Sequence, residues 1–150
     1  MLHIRLLEPN EEIPYHLLLL ADETVEAIDK YVFESSVYIA QIHTTIIGVF
    51  CLYRTSETEI EIKNIAIKET FQNLGYGSIL IDFIKKEAQK NFKTLIVGTA
   101  DVGYKQIRFY ERNGFKVFDR RKNFFIENYP YPIIENGKEL KDMILLKYDL

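Results

Sequence analysis

Apolar positions change period several times along the chain, and each change marks an element. The segment HIRLL (residues 3–7) alternates and reads as a first strand. Pro9 and Asn10 break it, and helical patterns follow over roughly 12–21 and 23–33, the second with Val25, Ile28 and Val32 on one stripe. SVYIAQI and IIGVFCLYR then read as strands, joined in a hairpin by His43-Thr44-Thr45. TEIEIKNIAI (58–67) extends this into an antiparallel meander. From Gly77 to Asn91 the period is helical, with Ile79, Leu80, Phe83, Ile84 and Ala88 on one face. KTLIVGT is a continuous apolar run of the buried-strand kind, and YKQIRFYER is a short helix stopped at Asn113-Gly114. FKVFDR and DMILLKYDL are the last strands, separated by NFFIENYPYPII, whose two prolines predict an irregular loop. The order is β-αα-βββ-α-β-α-β-β, a mixed α+β sheet with a βαβ crossover at its centre.

The fourth strand contains a phase error. Ile60 and Ile62 share one face, yet strict alternation would put Ile65 and Ile67 on the opposite face with Glu61. A β-bulge near Lys63-Asn64 would restore the apolar side chains to one core and leave nearby backbone groups unpaired. A strand covered on both faces beyond Asn64 would need no bulge.

Composition narrows the class. Apolar residues are 47% and charged residues 27% of 150, and ten Phe with ten Tyr argue against disorder. The length and the absence of a linker or repeat predict one domain over 1–150. A net charge of -3 gives no reason to expect nucleic-acid or anionic-membrane partners. The lone Cys51, within IIGVFCLY, reads as a buried structural thiol, and with no secretory or membrane-spanning pattern a reducing cytoplasmic setting is expected. Exposed aromatics near the C-terminus leave room for a homodimer.

The candidate chemistry sits in FQNLGYGS (71–78), between a strand and a helix. Unpaired N–H groups at a helix start favour an anion, and Gly75 and Gly77 let backbone approach it closely. The Walker pattern is absent, and Leu80 stands where the dinucleotide fingerprint needs a small residue.

IAIKETFQNLGYGSIL resembles the acyl-CoA signature of the GNAT superfamily of N-acyltransferases, [Arg/Gln]-x-x-Gly-x-[Gly/Ala] opening a helix, carried here by Gln72 to Gly77. QIRFYERNGFKVF is similar to that family's late helix with its Tyr and the Gly-Phe entering the next strand. The C-terminal FFIENYPYPIIENGKELKDMI is similar to a bacterial subgroup that fixes no substrate.

The resemblance implies a mostly antiparallel sheet with flanking helices and a V-shaped split between the fourth and fifth strands. It implies acetyl-CoA as co-substrate, direct transfer to an amine, and no metal. Ile65, Ala66 and Ile67 would pair with the pantetheine arm. Gln72, Asn73, Leu74, Gly75, Tyr76, Gly77 and Ser78 would supply amides to the pyrophosphate, Gln72 standing where Arg is common. Tyr110 would be the general acid toward a thiolate whose conjugate acid has a pKa of about 8.5. Glu61, or Glu59 on the same face, would be the base. Asp101 replaces a frequent Asn, and could contact the cofactor arm, cap the next helix, or recognise an amine. Glu59, Glu61, Asp101, Glu127 and Glu135 suggest an acidic acceptor cleft suited to a small or polyamine-like substrate, with Tyr129 and Tyr131 as a wall. A catalytically silent acyl-CoA-binding or sensing domain and a nucleotide-binding α/β domain are the competing readings.

Overall fold

The alternating N-terminal segment forms β1 (Leu2–Leu6), and the meander forms β2 (Ser36–Ile42), β3 (Thr45–Arg54) and β4 (Glu59–Ile67). A helix α3 (Tyr76–Ala88) leads to β5 (Thr94–Ala100), and α4 (Tyr104–Arg112) leads to β6 (Lys116–Arg121). A computed structural model describes all 150 residues. Its C-terminal segment becomes β9 (Met143–Asp149), inserted between β5 and β6 and antiparallel to both. The seven-stranded order is β1-β2-β3-β4-β5-β9-β6, antiparallel throughout except for β4 with β5.

The bulge is present. Cys51 of β3 pairs with Asn64, but the next residue, Leu52, pairs with Ile62, so Lys63 is the extra residue. Ile60 and Ile62 therefore join the same core as Ile65 and Ile67, which also takes Leu80, Ile81, Ile84 and Ala88 of α3. Asn64 and Ala66 turn to the opposite face. That face is covered by α1 (Tyr15–Leu18) and α2 (Val25–Asp29), which bury Leu17, Leu18 and Ile28 against Ile39, Val49 and Cys51.

Those two helices are shorter than the 12–21 and 23–33 expected. Pro14 has no amide hydrogen to extend α1 backward, and its carbonyl accepts both Leu17 and Leu18 amides. Thr24 lies in extended conformation and its hydroxyl accepts the Ala27 amide at 3.0 Å, so a fresh N-cap interrupts the pattern. Only a 3-10 turn at Val32–Glu34 follows. The expected irregular loop at 123–134 also differs. A short helix α5 (Phe124–Asn128) precedes the prolines, and a small hairpin of β7 (Ile134–Glu135) and β8 (Lys138–Glu139) follows them. Asn136 and Gly137 both take positive φ (53° and 76°), the geometry of the tight hairpin turn that Asn-Gly favours. The longest helix has 13 residues, and none is long and apolar enough to cross a membrane.

Deleting Lys63 would remove the bulge and rotate either Ile60 and Ile62 or Ile65 and Ile67 out of the core. The deletion is expected to lose cooperative unfolding in urea, whereas Lys63→Ala, which keeps the residue count, retains it within about 1 kcal/mol of the parent.

Candidate active site

Pairing between β4 and β5 runs only from Glu59–Thr94 to Ile62–Val97. Beyond it, β4 continues on β3 to Ile67, and β5 continues on β9 to Ala100, so the two strands separate into a V. The Lys68 amide donates to Ile47 O on the β3 side at 2.7 Å. Backbone direction alternates along a strand, so Ala66 also faces β3 while Ile65 and Ile67 face the opening. Of the three residues expected to line the cofactor arm, two present their own polar backbone groups to the gap, and Ala66 holds the strand to its neighbour.

At the wide end of the V, the amides of Asn73, Leu74, Gly75, Tyr76, Gly77 and Ser78 donate to nothing within the chain. Asn73 (φ 62°) and Gly75 (φ 89°) adopt left-handed conformations that curl this run into a concave nest leading into α3. A Cβ on Gly75 would meet no atom within 4 Å, so its conformation, not space, calls for glycine. Gly77 is the reverse, since a Cβ there would lie 3.2 Å from the Phe109 ring. Gln72 does not join the nest. Its side-chain amide donates to Ile67 O at 2.8 Å and its backbone amide to Glu69 O, so it braces the loop against the end of β4. The nest therefore consists of backbone N–H groups and the positive end of a helix, an arrangement suited to an anion, without a side-chain charge from position 72.

Tyr110 comes from α4, which crosses α3 through the Gly77–Phe109 contact, an Asn113 Nδ2 to Ser78 Oγ hydrogen bond of 3.3 Å, and Lys85 donating to Asn113 O. Its ring packs edge-on to Phe109 and Phe115, and only 6% of the residue is exposed. The hydroxyl makes no hydrogen bond within the chain, and burial raises its pKa above the ordinary tyrosine value.

The carboxylates lie on the opposite face. Glu61 is 4% exposed, with Lys63 Nζ at 3.4 Å from one oxygen and Arg121 Nη2 at 3.9 Å from the other. Glu59 sits at the closed end of the V, where its side chain accepts the Thr55 hydroxyl at 2.8 Å, and is not brought together with Tyr110 and the nest. Asp101 follows β5 directly; its backbone amide donates to Asp142 O, and its Oδ1 is buried without a partner. It does not cap α4, whose N-cap position is Gly103 and has no side-chain hydrogen bond.

Of the carboxylates expected to make an acceptor cleft acidic, Glu61 is bracketed by two cations and Glu59 sits at the closed end of the V. Glu135 does approach Glu23, whose pKa is raised first by burial and then by Glu135 and Asp22. A polar chain that sequence reasoning missed crosses this face. Asn64 Nδ2 donates to Leu18 O and to the Tyr31 hydroxyl, Tyr31 donates to Asp22 Oδ2 at 2.9 Å, and Tyr129 donates to Asp22 Oδ1 at 2.6 Å. The loop of Tyr129 is thereby tied to the turn between α1 and α2. The Asn at the bulge was the one available signal, since an amide in an apolar strand needs buried partners.

Residues 33–117, from before β2 into β6, match the model of the "Acetyltransferase (GNAT) domain" family. The chain belongs to the GNAT family of acetyltransferases. This GNAT chain is 35% identical over 144 residues to the uncharacterized N-acetyltransferase YvbK of Bacillus subtilis, covering 95% of itself and 92% of that protein. It is also similar to the crystal structure of a GNAT family acetyltransferase from Elizabethkingia anophelis with acetyl-CoA bound. That match has 43% identity, a TM-score of 0.96, and coverage of 99% and 98% of the two chains. A Bacillus subtilis acetyltransferase solved in complex with CoA matches at 34% identity and a TM-score of 0.91, over 100% of this chain and 99% of that one.

Within this GNAT fold, Asp22→Ala removes the acceptor for two tyrosine hydroxyls, one of them on the buried Tyr31. It is expected to lower stability by about 1–3 kcal/mol in urea titration. Asp29→Ala, which breaks the exposed Tyr15–Asp29 pair (2.6 Å), is expected to stay within about 0.5 kcal/mol of the parent.

Proposed function

We propose that the protein transfers an acetyl group from acetyl-CoA directly to the amine of a small molecule, both held together in the V between β4 and β5. The observation that carries this reading is the run of six free amides, Asn73 to Ser78, continuous with a strand edge where the Ile65 backbone groups and the Ile67 amide face open space. Six convergent N–H groups at a helix start fit a pyrophosphate. An unpaired strand edge fits an amide-bearing arm, which can add to it as another strand would. The relatives with bound acetyl-CoA and CoA support the same fit.

When bound, acetyl-CoA supplies an acetyl group already activated as a thioester. The outward amides of β4 would hold its carbonyl and stabilise negative charge growing on that oxygen. Glu61 would take a proton from the acceptor ammonium, directly or through water, so that the amine has a free electron pair. Tyr110 would donate a hydrogen bond and then a proton to the departing sulfur. Its raised pKa keeps the hydroxyl protonated, and a thiolate leaving into the same dry surroundings has its own proton affinity raised as well. The difference between the two groups, rather than either pKa alone, governs the transfer.

A reducing cytosol is the setting this reading assigns, with Cys51 a free buried thiol whose pKa burial pushes up to about 12. A homodimer through exposed apolar residues of the last third, such as Phe118, Ile126 and Tyr131, belongs to the same reading, and sedimentation equilibrium measures it.

Release of CoA on addition of an amine library, with products identified by mass, tests the transfer itself. Acetyl-CoA binding without release by any amine would instead leave a silent binding domain. Gly75→Glu has room for its side chain but places an anion in the nest, on a backbone conformation costing about 1–2 kcal/mol. It is expected to weaken acetyl-CoA binding at least about 100-fold by calorimetry while the protein stays folded. Tyr110→Phe is expected to lower kcat about 100-fold or more and leave acetyl-CoA affinity unchanged. Because the working form of Tyr110 is protonated and its pKa is raised, the parent should lose no activity from this group below about pH 10. A Tyr110→Phe rate equal to the parent's at every pH would refute the acid role.

A further inference from the structure

Arg121 reaches the active-site carboxylate from far away in the sheet. It lies on β6, separated from β4 by β9 and β5, yet its Nη2 is 3.9 Å from Glu61 Oε1. The crossing is possible because β5 has no side chain at Gly98. A Cβ there would sit 2.4 Å from Met143 Sδ, so Met143 lies down onto bare strand. Met143 pairs with Arg121, whose Nη1 rests against that sulfur at 3.9 Å. The guanidinium is thus carried over a low saddle toward the acceptor side of the V.

Having arrived, it is underused. It makes no hydrogen bond to any oxygen, and 3.9 Å to Glu61 is beyond hydrogen-bond reach. The neighbouring Arg120 is satisfied by Asp142 at 2.6 Å. Glu61, for its part, already has Lys63 at 3.4 Å. Arg121 is 43% exposed, so its fork of N–H groups is open to a ligand.

We propose that the acceptor carries a carboxylate beside its amine, as a neutral α-amino acid does, and that Arg121 is the clamp for that carboxylate. This rests on the amine-acetylation reading above. A guanidinium matches a carboxylate in a planar, two-bond fork, which a plain amine acceptor would leave empty. The ammonium and carboxylate of an α-amino acid sit one carbon apart, and Glu61 and Arg121 offer the complementary charges at a similarly short separation. In the transfer the nitrogen–carbon bond forms as the carbon–sulfur bond breaks, giving an N-acetyl amino acid and CoA thiol. Of the two protons the ammonium gives up, one ends on sulfur and one in solvent.

The test pairs neutral amino acids with the amines left when the carboxylate is removed, phenylalanine with phenethylamine and leucine with isoamylamine. The parent enzyme is expected to prefer the amino acid by at least about tenfold in kcat/KM. Calorimetric titration onto the CoA-bound enzyme should show the same order. Arg121→Gln should bring the ratio between the classes to about one, with the loss falling on KM for the amino acid, and Arg121→Lys should recover part of it. Amines accepted as well as amino acids by the parent, or an unchanged ratio in Arg121→Gln, would overturn the proposal while leaving amine acetylation standing. Acetyl-CoA binding with neither class acetylated would overturn both.

Discussion

At Lys63 the fourth strand takes in one residue more than its partner, and the features of the site follow from that insertion. Before it, β4 belongs to both β3 and β5; after it, β4 belongs to β3 alone. A bulge bends its strand and increases the local twist, which is how one strand can leave one neighbour while keeping the other. The same insertion restores Ile65 and Ile67 to the core of Ile60 and Ile62. The opening is therefore stable, because the residues lining its edge have their side chains in the main core, while the Ile65 groups and the Ile67 amide stay free and Gln72 holds the Ile67 carbonyl. A gap made by weakening the strand would have lost that anchoring.

The insertion also sorts chemistry between the two faces. Tyr110 approaches from the face of α3 and α4, while Glu61 and Asn64 occupy the face of α1 and α2. A split sheet leaves a passage between these two faces, which an unbroken ladder of β4 with β5 would close. On the α1–α2 face, the hydrogen-bonded run from Asn64 through Tyr31 and Asp22 to Tyr129 joins β4, the α1–α2 turn and the C-terminal loop. Phe125 stacks on Tyr129, so the loop has an apolar support as well as a polar tie. Buried polar groups satisfied in this way fix geometry more than they add stability.

Local pattern made much of this legible. The phase slip at Ile62–Ile65 located the bulge, the residues of α4 were read as they stand, and the glycines marked the run of free amides at the start of α3. What stayed illegible depended on partners distant in sequence. Gln72 read as a cofactor contact because its position suggested one; only the fold reveals Ile67 O within 2.8 Å. Glu59 and Glu61 are equivalent in an alternating strand, and the point where β5 pairing ends separates them. Arg121 sat in an ordinary-looking strand, and nothing local indicated that Gly98 would let it reach across two neighbours. The shortened N-terminal helices are a different failure, since Pro14 and Thr24 were visible and their capping roles outweighed the apolar stripe.

The two glycines of the nest illustrate how closely the ends of the site are coupled. Gly75 answers a backbone requirement, and its exposed Cα has nothing nearby. Gly77 answers a packing requirement, because the Phe109 ring occupies the space where its side chain would be. Phe109 in turn packs edge-on against Tyr110, with ring centres 5.2 Å apart. Any side chain at 77 would push on Phe109 and so on the Tyr110 phenol, some distance from the free amides of the nest. The first turn of α3 thus sets both the nest and the position of Tyr110, and a close-packed interior transmits a shift at one to the other. The pattern of two glycines one residue apart is then a joint requirement, conformational at the first and steric at the second, with the shape of the nest depending directly on one and the placement of Tyr110 on the other.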